Sequence, residues 1–135
     1  MTAFWDVMPT FCELAGVEVP DACDGESFLG VLKGVDEPSS DRVFYWELGE
    51  LGPFRRALRM GDFKAVQYGL SKPVQIYDIV HDRAETRDLA DERPELVARA
   101  QELLEEMHVE SPAFPLQDSV KKKKKKPTFV FDRDD

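Results

Sequence analysis

The chain is short of the residues that many function classes require. Its 135 residues contain two cysteines, Cys12 and Cys23, and two histidines, His81 and His108. Two cysteines do not make a disulfide framework. They read as two buried thiols, because unpaired cysteine is among the most buried residue types; a single bridge stays open for an exported protein. Both histidines are far from the cysteines, so no zinc-binding spacing forms. No apolar run approaches the roughly 18 residues of a membrane span. The N-terminus, MTAFWDVMPTF, has neither a basic n-region nor a long apolar h-region and does not read as a signal peptide. Basic residues are scarce outside one run. Residues 1–116 hold 11 Lys+Arg against 23 Asp+Glu, a balance of 11 − 23 = −12. Nucleic-acid binding needs a basic face to neutralise phosphates, so the acidic body argues against that class.

What is present suits one α+β domain. Hydrophobic residues make up 42% of the chain, close to the globular average, which argues against a wholly disordered polymer. Phe4, Val7, Met8, Phe11, Leu14 and Ala15 recur at helical spacing and predict a helix over Phe4–Ala15. Pro9 must kink it or mark its first turn, with Asp6 as cap and Gly16 as the C-terminal stop. About two further helical turns are expected over 27–32, ended by Gly34. Four strand-like runs follow: 42–48, 56–60, 63–68 and 74–78. Gly61-Asp62 between two of them is a tight-hairpin signal, so the runs should form an antiparallel meander. Leu96, Val97, Ala100, Leu103, Leu104 and Met107 then form one apolar stripe, with glutamates and Arg99 opposite. That helix, 94–108 with Asp91 as cap and Pro94 in its first turn, should cover the sheet. From Gln117 the composition changes. The run Lys121–Lys126 repels itself and reads as a solvated tail, with Thr128–Phe131 as a weak edge-strand signal.

Five segments occur in an order and spacing that resemble a known family. They are DVMPTFCELAGVEVP followed by DGESFLGVLKG, then RVFYWEL, RALRMGDFKAV, VQIYDIVHDRAETRDLA, and the amphipathic helix followed by ESPAFPL. Together they cover residues 4–116 and are similar to the C-terminal region of sulfatases of the arylsulfatase, formylglycine-dependent type. The resemblance implies three parts. Residues 1–35 would be the terminal helix and connection of a parent α/β domain, and 42–116 a C-terminal subdomain. Residues 117–135 would be the Lys-rich tail. The fold is then a four-stranded antiparallel sheet packed by a long C-terminal amphipathic helix, preceded by one helix belonging to the α/β domain.

The resemblance also states what chemistry to look for. Sulfatases cleave sulfate esters with a formylglycine made from Cys or Ser in a C/S-x-P-x-R motif. A divalent cation, normally calcium, polarises the sulfate. In this chain Cys12 is followed by Glu13-Leu14-Ala15-Gly16 and Cys23 by Asp24-Gly25-Glu26-Ser27, so neither sits in that motif. The family's Asp-Asp and Asp-Asn metal pairs have no counterpart either. No catalytic residue and no metal ligand is assigned. Calcium and formylglycine are expected in a full-length parent, and the parent family is often periplasmic or secreted. The loop over 47–56 matches a family loop near the active-site mouth. It makes Glu47, Arg55 and Arg56 candidates for proximity to an anionic substrate, since a guanidinium fork suits oxyanions. The same arginines, like Lys64, serve equally well to balance an acidic surface. Ser27 lies in DGES, which is no nucleophile elbow. Asp78, Asp82 and Glu85 lack EF-hand spacing and read as turn caps. His81 and His108 read as solvated or capping residues.

The function expected on these grounds is the C-terminal portion of a sulfatase, not catalytic as an isolated chain. Its partners would be the α/β domain and sulfated carbohydrate, with no nucleic acid and no membrane. The alternative is a free-standing, non-catalytic module that binds an anionic glycan or a partner protein.

Overall fold

The β-branched and aromatic runs form the expected sheet. A computed structural model describes residues 1–37, 42–49 and 54–112. Strands β1 (Val43–Leu48), β2 (Arg55–Met60), β3 (Phe63–Gln67) and β4 (Val74–Asp78) lie in the order β1-β2-β3-β4. All neighbours are antiparallel, with Val43 opposite Met60, Met60 opposite Phe63 and Phe63 opposite Asp78. Gly61 turns the β2–β3 hairpin in the left-handed region, at φ 55°, which explains a glycine there.

Strand alternation sends Leu58, Ala65, Val74 and Ile76 to one face. Ala100, Leu103 and Leu104 of the long helix close over them, and Leu58, Ile76 and Leu104 are wholly buried. Each such aliphatic side chain contributes about 1.5–3 kcal/mol by leaving water. The helix runs Pro94–Glu106, two residues shorter at its end than the expected 94–108. Asp91 does not cap it. The cap position is Arg93, whose side chain makes no capping bond, and Pro94 supplies the pre-set first turn.

The N-terminal segment is a 3-10 turn, Phe4–Asp6, running into helix α1, Val7–Ala15. Pro9 falls in the first turn of α1, where its missing N–H costs nothing. Gly16 ends α1 in the left-handed conformation, at φ 67°. A short helix α2 spans Leu29–Leu32, and the long helix Pro94–Glu106 is α3.

Asp6 is not the side-chain cap of α1 that its position suggests. Its carboxylate is fully buried and turned elsewhere. It accepts hydrogen bonds from the Ala3 amide at 2.7 Å and the Glu26 amide at 3.0 Å, and from Arg42 Nη1 and Nη2 at 2.8 and 2.9 Å. Thr10, one turn on, donates to the Asp6 carbonyl at 2.7 Å and accepts from the Phe28 amide at 3.1 Å. These bonds clamp residues 26–28 onto the start of α1 and tie both to the residue preceding β1. Above the clamp the Trp5 ring stands edge-on to Phe44 and tilted against Trp46, both at 5.6 Å between centroids.

Gly25 completes this junction. A Cβ there would lie 2.1 Å from the Trp5 carbonyl oxygen. Gly25→Ala is therefore expected to destabilise the chain by about 1–3 kcal/mol, because backbone rather than a flexible side chain must give way. Thermal unfolding measures this, and an unchanged midpoint would show that the junction tolerates displacement.

Candidate functional site

Two regions concentrate chemistry: an apolar groove on α1, and a polar cluster where β1 and β2 meet the end of α3.

The groove follows from the apolar stripe of α1. Only part of that stripe meets the rest of the chain. Phe4 is 89% exposed, Phe11 64% and Leu14 65%, with Met8 and Val17 also open. Phe4, Met8, Phe11 and Val17, with Trp5, Pro20 and Ala22, line an open cavity of about 940 Å³. Cys12 and Cys23 lie in its wall as free, half-buried thiols, and Cys23 points its Sγ toward the Trp5 carbonyl. The fully buried thiols expected from the residue type are thus only partly covered. An exposed apolar surface of this kind marks a contact surface rather than an ordinary helix face.

The polar cluster gathers residues from four elements. In β2 the alternation that buries Leu58 also buries Arg56, which is 6% exposed. Its donors are committed: Nε to Gln67 Oε1 at 2.7 Å, Nη1 to the Leu104 carbonyl at 3.1 Å, and Nη2 to Glu105 at 2.6 Å. The bond to Leu104 satisfies one of the orphan carbonyls at the end of α3. Arg56 is therefore not an arginine free to meet an anion. Arg55, one residue earlier, points the other way and is exposed. Glu47 sits opposite Arg56 in the ladder. It accepts a hydrogen bond from the Tyr45 hydroxyl and lies 2.5 Å from His108 Nδ1. Burial pushes the Tyr45 hydroxyl well up, and the Glu47 carboxylate reinforces the rise. Residues 50–53 and 113–135, which include part of the loop between β1 and β2 and the lysine run, lie outside the described residues.

The remaining candidates resolve into structure. Lys64 pairs with both oxygens of Glu85, at 2.7 and 2.8 Å. Asp78 accepts from the Val80 and His81 amides and from the His81 ring. Asp82 accepts from the amides of Thr86 and Arg87, and Asp88 from those of Ile76 and Ala90. Asp78 and Asp82 cap turns, as their spacing suggested, whereas Glu85, expected to do the same, pairs with Lys64. Among the described residues no group of three or more His, Cys, Asp or Glu could hold a metal ion. The described residues thus form no calcium site, and neither cysteine lies in a formylglycine motif. No helix among the described residues is long and apolar enough to cross a membrane.

No family model matches the chain. Individual proteins do. Arylsulfatase K of Danio rerio is 26% identical over 106 residues, 73% of this chain and 20% of that protein. An ulvan-active sulfatase of Formosa agariphila is 44% identical over 41 residues, 30% of this chain and 8% of that protein. Among solved structures, one captured with its substrate D-glucosamine-2-N,6-O-disulfate superposes with a TM-score of 0.63 at 27% identity. It covers 75% of this chain and 22% of that one. A 2-O GAG sulfatase superposes with a TM-score of 0.61 at 26% identity, covering 75% of this chain and 23% of that one. The chain is similar to the C-terminal region of sulfatases. It spans about a fifth of the length of the first of these relatives.

The likeness gives the clamp a meaning. DVMPTFCELAGVEVP and DGESFLGVLKG, which carry the first part of the resemblance, form one junction in the fold. Asp6 and Thr10 of the first hold the amides of Glu26 and Phe28 in the second, and Gly25 makes the close approach possible. What sequence reading missed is the pairing of Glu47 with His108. The two are 61 residues apart, and no local pattern links a strand end to the residue two places past a helix.

Proposed function

We propose that this chain is the C-terminal portion of a sulfatase, a sulfuric ester hydrolase acting on sulfated carbohydrate, and that it does not hydrolyse sulfate esters by itself. The observation that carries the reading is the open apolar groove of α1. A helix with Phe4, Phe11 and Leu14 exposed needs a cover, and a sulfatase α/β domain is the partner that fits it. The relatives support this, because this chain matches only 20% of the arylsulfatase and 22% of the substrate-bound structure. On this reading residues 1–35 belong to the α/β domain and 42–116 form the subdomain beside it. The nucleophile and calcium site would lie in the larger part of the parent.

The substrate class rests on the relatives. One is named for activity on ulvan and another is seen with a disulfated glucosamine. The residues of this chain proposed to lie toward such a ligand are Glu47 and Arg55. Arg56 acts behind them by holding the strand ends and α3 together.

Two measurements test the proposal. The purified chain is expected to release no product from a chromogenic aryl sulfate above background, with or without calcium. Turnover would overturn the central claim. Cys12 and Cys23 are expected to react readily with a thiol reagent in this chain and to be protected in a protein that carries an α/β domain on the same strand. Equal labelling in both would leave α1 without its cover and favour the free-standing module.

A further inference from the structure

His108 occupies a position that only one of its protonation states suits. It follows the cap of α3 and its ring is 11% exposed. Nδ1 lies 2.5 Å from Glu47 Oε1 at the far end of β1, and Nε2 lies 3.7 Å from Glu110 Oε1. Nε2 is buried and has no hydrogen-bond partner among the described residues. A neutral imidazole has one donor and one acceptor. If Nδ1–H donates to Glu47, a neutral ring turns a bare lone pair toward the second carboxylate. A protonated ring presents an N–H to each.

The surrounding charges favour the cation as well. Glu47 faces the ring from β1, where it also accepts from the Tyr45 hydroxyl, and Glu110 faces it from the segment beyond α3. Two carboxylates flanking one imidazole favour a positive charge between them. The end of a helix, with its unsatisfied carbonyls, also favours a cation.

We propose that His108 is a pH-dependent latch that fastens the C-terminal end of α3 and the residues after it to the end of β1. The latch is closed when the imidazole is protonated and loosens when it is neutral. The hydrogen bond to Glu47 raises the His108 pKa above its ordinary 6.5, outweighing the opposing effect of burial. A raised folded pKa means that the latch contributes fully below 6.5 and is lost as the pH climbs through the folded value. The device concerns the fold of this chain and stands whether or not the sulfatase reading of its function does.

The experiment is an NMR titration of the imidazole protons in the full chain, with urea unfolding of the wild type and His108→Gln at pH 6 and pH 9. His108 is expected to titrate above 6.5, and the wild type to exceed H108Q in unfolding midpoint at pH 6 with the gap closing at pH 9. Glu110→Gln keeps the direct bond to Glu47 and is expected to lower the His108 titration midpoint, which tests the idea even if H108Q fails to fold. A titration at or below 6.5, a gap independent of pH, or no response to E110Q overturns the latch.

Discussion

Asp6→Ala is expected to cost about 3–5 kcal/mol, because it breaks a buried ion pair. The carboxylate is 0% exposed and is met by two backbone amides and both terminal nitrogens of Arg42. Its removal leaves the Arg42 guanidinium, whose side chain is 15% exposed, with the exposed Glu26 carboxylate at 3.3 Å as its acidic partner, and frees the Glu26 amide from the start of α1. Urea unfolding gives the number. Asp6→Ala combined with Arg42→Met is expected to cost less than the sum of the two single changes, because the second removes the guanidinium that the first deprives of its buried partner. A strictly additive pair would mean that the two residues do not act together.

The same carboxylate sets an acid limit. Burial would raise its pKa, but the Arg42 side chain and the amides of Ala3 and Glu26 outweigh burial and hold it at about 2, against an ordinary 3.8. A depressed folded pKa contributes stability above the ordinary value and loses it as the pH falls through the folded one. Wild-type stability should therefore drop by roughly 2 kcal/mol from this group between pH 4 and pH 2. Asp6→Asn, already weaker at neutral pH, should show a shallower acid slope. Parallel acid slopes for the two proteins would place the titration elsewhere.

The second large effect is in the core. Leu104→Ala is expected to destabilise the chain by about 2–5 kcal/mol, through lost burial and the cavity that remains. Leu104 is 0% exposed and lies in the cluster with Leu58, Val74 and Ile76, where the sheet beneath is hydrogen-bonded on a fixed register and cannot sink to fill the space. Its carbonyl also accepts from Arg56, so any shift of α3 disturbs the buried guanidinium as well. The expected contrast is Leu96→Ala, at the half-buried edge of the same cluster, with the smaller loss. Equal losses would show that α3 moves as a loose cover rather than a packed layer.

Periodicity determined much of this protein. The period-two runs gave four strands in meander order, and the stripe Leu96 to Met107 gave the helix that covers them, because both patterns record which face leaves water. Glycine chemistry marked the stop of α1 at Gly16 and the hairpin at Gly61, since a left-handed residue is a local demand. The order of motifs carried the family likeness. Tertiary structure decided everything that depends on residues far apart in sequence. Asp6 looked like a helix cap and became the anchor of Arg42, 36 residues away. Arg55 and Arg56 looked alike, yet strand alternation exposes one and spends the other inside, beneath Leu104 and Glu105. His108 looked like a solvated helix end and lies against Glu47. Local patterns report which side of an element is apolar. Which charge meets which is set only when the elements pack, because a buried ionic group must find its partner wherever the fold brings one.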